Sequence, residues 1–169
     1  DKISPLIRET AQKLWLTYII ISIACLLLLL VFGMNLFDAL CHTFATMATG
    51  GFSTKNASIG FYSSPYIQWT ITIFMFIAAT NFSLHYLAYK DRRPVVYFKN
   101  PEFRFYTGIV LISSAVVALG LHLTGGMGGW EEKIRLASFQ VVSIISTTGY
   151  ATADFNLWPA MSTGVLFLL

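Results

Sequence analysis

The reading turns on Ile145–Asp154, "ISTTGYATAD". Gly149 stands between Thr148 and Tyr150 at the end of an amphipathic stretch, in a chain otherwise apolar enough for a bilayer. A spanning helix gains nothing by stopping short, running through two threonines and a glycine, and turning polar. A backbone that has to present carbonyl oxygens to something does. The pattern occurs twice. With Gly51 set on Gly149, an offset of 98, "ATGGFST" lies over "STTGYAT": Thr49 meets Thr147, Phe52 meets Tyr150, and Thr54 meets Thr152. His42 falls on Gln140 and Ala39 on Ala137. Identity outside the glycine segments is poor. The repeat is carried by a shared order of span, short helix, Thr-Gly turn, polar loop and span.

Composition sets the class. Of 169 residues, 56% are apolar and 11% charged, against roughly 45–50% and about 25% in soluble domains. A soluble core of this length would not hide so much apolar surface, so an all-α integral membrane protein is expected. The net charge of +3 is too small to argue for nucleic acid. Cys25 and Cys41 lie in apolar surroundings without metal-ligand spacing and read as free thiols. The charged start "DKISPLIRET" and the apolar finish "STGVLFLL" read as cut ends of a longer polypeptide, with no signal peptide.

Three long apolar runs are expected to span: Leu14–Gly33, Tyr66–Tyr89 and Tyr106–Leu123, with a fourth beginning near Trp158. The first has 20 residues, about 30 Å as a helix, which matches the hydrocarbon core. The second is interrupted by Asn81 and His85, four apart and so on one helical face, where cavity lining and inter-helix hydrogen bonding are both open roles. Between the spans lie Leu36–Ala48 and Glu131–Ser146, too short to cross and read as re-entrant helices. Asn35 with Asp38 forms an approximate capping box for the first, and Glu131 with Glu132 favours the N-terminus of the second. Lys90, Arg92, Arg93, Lys99 and Arg104, with Lys2, Arg8 and Lys13, put the N-terminus and the 90–104 segment in the cytoplasm. Both short helices then enter from outside, and Thr124–Trp130 is an external loop.

Non-helical backbone at membrane depth is tolerated only inside protein or beside a watery path. Two such turns, each after a short helix, have a direct use. Carbonyl oxygens in an extended Thr-x-Gly segment replace the hydration shell of a cation, and Gly permits the dihedrals that aim them. The negative end of the preceding helix dipole favours a cation at the same spot. Oxygen ligands without a carboxylate in the turn suit a monovalent ion better than Ca²⁺. The alternatives are a secondary transporter with broken helices or a non-conducting membrane scaffold; transporter repeats are often inverted, whereas these keep one orientation. An enzyme is not expected, because Glu131, Glu132, His42, His85 and His122 are too dispersed to form a catalytic or metal set.

The strings "MATGGFSTKNASIGFY" and "STTGYATADFNLWP" resemble filter repeats of the Trk/Ktr/HKT superfamily of potassium transport proteins, and are most like its bacterial Trk-type membrane subunit. The resemblance covers nearly the whole chain. It implies four membrane–pore–membrane repeats around one pore, of which this chain holds the second and most of the third. The division expected is 1–92 for one repeat, 93–105 for a cytoplasmic linker and 106–169 for the next, truncated in its last helix. Carried over by position, Thr49, Gly50 and Gly51 would line the K⁺ filter from one repeat, and Thr147, Thr148 and Gly149 from the other, flanked by Phe52 and Tyr150. The resemblance further implies K⁺ as the transported ion with possible Na⁺ permeation, and no covalent cofactor. A bacterial inner (cytoplasmic) membrane, a homodimer and a cytosolic nucleotide-binding regulatory subunit docking on the basic face complete what it implies. Of the other polar residues, His42 is expected to pack or hydrogen-bond, Lys55 and Asp154 to be loop charges at the outer mouth, and Trp15, Trp69, Tyr89 and Trp158 to sit in interfacial belts.

Overall fold

The computed structural model describes residues 3–91, 94–124 and 128–169. Lys2, Arg92, Arg93 and the middle of the external loop therefore lie outside the described residues. Every regular element among them is helical.

The first helix, α1 (Ile3–Val31), runs well upstream of its apolar stretch. Its Arg8–Val31 portion is long and apolar enough to cross a membrane, and only 17% of its most apolar window is buried. Trp15, Leu16, Ile20, Ile23, Leu27 and Val31 are all exposed, the pattern of a helix whose solvent is lipid. α2 (Leu36–Met47) starts where Asn35 Oδ1 accepts the Asp38 amide at 2.9 Å. The reciprocal half of the cap differs from the expected box: Asp38 takes the Asn35 side-chain amide at 2.6 Å.

The expected single span Tyr66–Tyr89 is instead two helices, α3 (Pro65–Ala78) and α4 (Phe82–Asp91), bent by 93°. No proline causes the break. Asn81 starts the second helix, its side chain accepting the Ser83 amide at 2.9 Å and its carbonyl the Leu84 amide at 2.9 Å. The Ile77 carbonyl, which accepts the Thr80 amide at 3.0 Å, also accepts from His85 Nε2 at 3.0 Å, which leaves His85 Nδ1 to accept from the Tyr97 hydroxyl at 2.8 Å. Asn81 and His85 consequently do not share a helical face: one opens α4, exposed, and the other is buried within it.

After α5 (Val95–Lys99), α6 (Pro101–Leu123) begins behind an Asn100 cap with Pro101 in its first turn. It is the second helix long enough to cross; the bent α3–α4 pair is the third if counted as one span. α7 (Trp130–Ile145) and α8 (Ala160–Leu168) follow. α1 packs on α2, α3 and α4; α6 packs on α7 and α8; α3 against α7 joins the two groups. Apolar contact between helices gains little over lipid, so polar cross-links matter here. Ser162 donates to the Val117 carbonyl at 3.2 Å, and the Trp69 indole donates to Glu131 at 3.0 Å. Leu29, Ile71, Met75, Phe139, Val141 and Tyr150 are fully buried where α1, α3 and α7 meet the turns. Trp158, expected in an interfacial belt, is also in this core at 6% exposure; the chain entering α8 folds it inward. Trp15 and Tyr89 are exposed, as belt residues are.

Candidate functional site

α2 and α7 end alike. After α2, Thr49 N–H donates to the Thr46 carbonyl and Gly50 N–H to that of Ala45, at 3.1 and 2.7 Å. After α7, Thr147 N–H donates to Ile144 and Thr148 N–H to Ser143, both at 2.9 Å. Both are Schellman caps, in which the residue after the cap turns left-handed and is usually glycine. Here it is threonine in both copies, at φ 49° for Thr49 and 57° for Thr147. A β-branched residue in that region is strained by roughly 1–3 kcal/mol. Two residues on, Gly51 at φ 67° and Gly149 at φ 85° turn left-handed again. The offset of 98 read from the sequence is therefore matched at both left-handed positions.

The carbonyls divide into two groups. Among the described residues, none donates a hydrogen bond to the carbonyls of Thr49, Gly50, Gly51, Thr147, Thr148 or Gly149. The next carbonyl in each copy is held: Phe52's accepts from the Tyr150 hydroxyl at 3.2 Å, and Tyr150's accepts from Ser143 Oγ at 2.7 Å. In each copy, then, the three carbonyls that precede the anchored one are open to a ligand. The two copies also touch. A Cβ on Gly51 would fall 2.0 Å from the Thr148 carbonyl oxygen, whereas one on Gly149 would meet nothing within 4 Å. Phe52's side chain is exposed and Tyr150's fully buried, so the two aromatics that align in sequence differ in role. Tyr150 is a strut reaching from the second copy into the first.

Behind the first turn lies a polar network. His42 is fully buried, its Nδ1 donating to the Asp38 carbonyl at 2.7 Å and its Nε2 accepting from Ser53 Oγ at 2.9 Å. Ser53 Oγ in turn accepts the Lys55 amide at 3.1 Å. Burial holds the His42 imidazole below its ordinary pKa, so it is neutral at pH 7 as this bonding requires. Lys55, expected as a loop charge, pairs with buried Asp38 at 3.0 Å. Asp154 is exposed and caps the short turn at Asn156. Behind the second turn, Ser146 and Thr148 share a hydroxyl bond at 2.7 Å. Buried Arg135 on α7 bonds Gln68 on α3 and pairs with Glu131 at 3.0 Å, and Gln68 donates to the Tyr62 carbonyl at 2.8 Å. Asp38 signalled only a helix start in the sequence, and Arg135 gave no functional signal there at all. Groups of three or more His, Cys, Asp or Glu able to hold a metal are absent among the described residues.

Apolar helices long enough to cross a membrane, with two short helices between them that end in matched strained turns, define a helical membrane protein with a repeated helix–turn segment. The chain belongs to the TrkH family of cation transport proteins, whose model matches residues 1–169. It is 42% identical over 99% of its length to the Trk system potassium uptake protein TrkH of Halomonas elongata, covering 35% of that protein. With TrkH of Escherichia coli K12 the identity is 41% over 94% of this chain and 33% of the relative. The crystal structure of the potassium transporter TrkH from Vibrio parahaemolyticus superposes with a TM-score of 0.92 at 37% identity, covering 97% of this chain and 36% of that one. The chain thus spans about a third of the length of the relatives it matches.

Proposed function

We propose that this chain supplies two adjacent quarters of a K⁺ uptake pore: residues 1–92 as one membrane–pore–membrane repeat, 93–105 as a cytoplasmic linker and 106–169 as the next repeat. Thr49, Gly50 and Gly51 with Thr147, Thr148 and Gly149 line the filter, each lending carbonyl oxygens to a dehydrated cation. The observation that carries this is the run of three unbonded carbonyls ending at Gly51 and at Gly149, each followed by an anchored one, at Phe52 and at Tyr150. Unbonded carbonyls at membrane depth are costly unless a ligand or water satisfies them. The C-terminal ends of α2 and α7 add partial negative charge at the same place. With one glycine per repeat the ladder is short, which fits K⁺ with some Na⁺ passage better than strict selection. The relatives' names, potassium uptake proteins, point the same way.

The test is K⁺-limited growth and K⁺/Na⁺ flux of the full-length protein carrying Gly149→Ser. The new Cβ is strained at a φ of 85° but meets no neighbouring atom within 4 Å, so most of the membrane abundance should be kept while K⁺ uptake drops and Na⁺ competes better. Normal abundance with uptake and ion ratio both unchanged would sink the filter reading, leaving a broken-helix scaffold or carrier.

The same reading places the protein in a bacterial inner membrane as a homodimer, with a cytosolic nucleotide-binding subunit on the basic face. Lys90, Lys99 and Arg104 are exposed on that face. Reversing these charges should weaken co-purification of such a subunit with the full-length protein at low salt; an unchanged yield counts against docking there.

A further inference from the structure

One carboxylate behind the first turn is placed to govern both. Asp38 is 3% exposed, and its oxygens receive Asn35 Nδ2 at 2.6 Å, Thr54 Oγ1 at 2.6 Å, the Tyr62 hydroxyl at 2.9 Å and Lys55 Nζ at 3.0 Å. Three of these fall on Oδ2 and one, from Thr54, on Oδ1, so both oxygens of the carboxylate are engaged within the protein. Lys55 pairs with its charge. What it does is tie a loop at both ends. Thr54 and Lys55 lie three and four residues after Gly51, while Tyr62 closes the short 3₁₀ turn Ser58–Phe61.

That loop grips the second copy. Gly60 N–H donates to the Ala151 carbonyl at 3.0 Å, and Ser58 Oγ accepts the Ala151 amide at 3.3 Å. A Cβ on Gly60 would fall 2.8 Å from the Thr152 carbonyl oxygen, so only glycine lets the two backbones meet. Ser58 itself is left-handed at φ 52°, held there by the fit. Ala151 is two residues from Gly149. At the aligned position the second copy carries Leu136, which offers no such anchor. Hydrogen bonds from Thr54, Lys55, Tyr62 and Asn35, led by Thr54, keep the Asp38 carboxyl well below the ordinary carboxylate range, so the anchor stays ionised through the physiological range.

We propose that Asp38 is a positioning residue for ion choice, fixing the outer ends of both filter segments through the 54–62 loop. The inference rests on the conduction reading above. Asp38→Asn keeps the shape but replaces an accepting oxygen with a donor, so it cannot satisfy all four donors. In full-length protein at matched membrane abundance, it should lower the K⁺/Na⁺ uptake ratio by roughly three- to tenfold, the scale of one lost charge-assisted hydrogen bond. Ser58→Ala removes only the grip on Ala151 and leaves Asp38 intact. It should shift the ratio the same way by a smaller factor, and the double variant should do no worse than Asp38→Asn alone. A merely structural role predicts lower abundance or maximal rate with the ratio intact, and that outcome overturns the proposal. Where Asp38→Asn fails to reach the membrane, Ser58→Ala decides alone: an unchanged ratio rejects the proposal. Unmodified protein without K⁺ uptake would instead reject the conduction reading itself.

Discussion

The two turns share a backbone and differ in almost everything behind it. Thr49 and Thr147 take the same left-handed cap, and Gly51 and Gly149 the same second reversal. The first is buttressed by a buried acid, a neutral histidine and a lysine. The second is buttressed by hydroxyls of Ser143 and Ser146, by Tyr150 and by the loop of the first. Where a function needs particular carbonyl positions, the dihedrals that set them recur while the supports vary. The surroundings in front differ too: Gly51 lies against the Thr148 carbonyl, and Gly149 has open space at its Cα.

That contrast breaks most sharply on Gly51. Gly51→Ala puts a Cβ 2.0 Å from the Thr148 oxygen at a φ of 67°, so backbone must shift in both copies. Membrane abundance and K⁺ uptake should both collapse, by tenfold or more in uptake, on the scale of roughly 2–3 kcal/mol of strain and displacement. Gly149→Ala, strained but unobstructed, should keep most of its abundance. Equal loss of abundance in the two, measured by membrane immunoblot, would erase the distinction between them.

A finer test separates strain from chemistry. Thr147→Gly relieves the left-handed penalty, offset in part by the freer unfolded chain, whereas Thr147→Ala keeps the penalty. The glycine variant should therefore melt above the alanine variant, by about 1 kcal/mol or a few degrees, in detergent-solubilised full-length protein. A glycine variant no more stable than the alanine variant would mean that Thr147 bears no strain worth relieving.

Much of this was legible beforehand. The bounds of α2 and α7 followed from apolar runs too short to span, and the glycines aligned because the turns need them. The break after α3 was hidden because Tyr66–Tyr89 is long and apolar enough for one span despite Asn81 and His85; it depends on His85 capping Ile77 and on Tyr97, a partner twelve residues away. Trp158 reads as a belt residue until the fold turns it inward. The left-handed threonines were out of reach for a different reason. β-branched residues argue against that conformation, so only tertiary structure shows that the chain adopts it. Asp38 looked like an ordinary helix-start acid, since its partners Thr54, Lys55 and Tyr62 are brought to it only by the closed loop.

The touch between Gly51 and Thr148 also sets a timetable for biogenesis. The first turn has nothing to lean on until a segment almost a hundred residues later has been made. At about 5–20 residues per second, that leaves the first hairpin on the order of 5–20 s in the membrane without its neighbour. During that interval the Phe52 carbonyl waits for the Tyr150 hydroxyl, and the 54–62 loop waits for Ala151. The Asp38 cluster draws every partner from Asn35–Tyr62, so it closes before the second copy exists. The first half of the mouth is thus assembled early, as a template on which the later half is received.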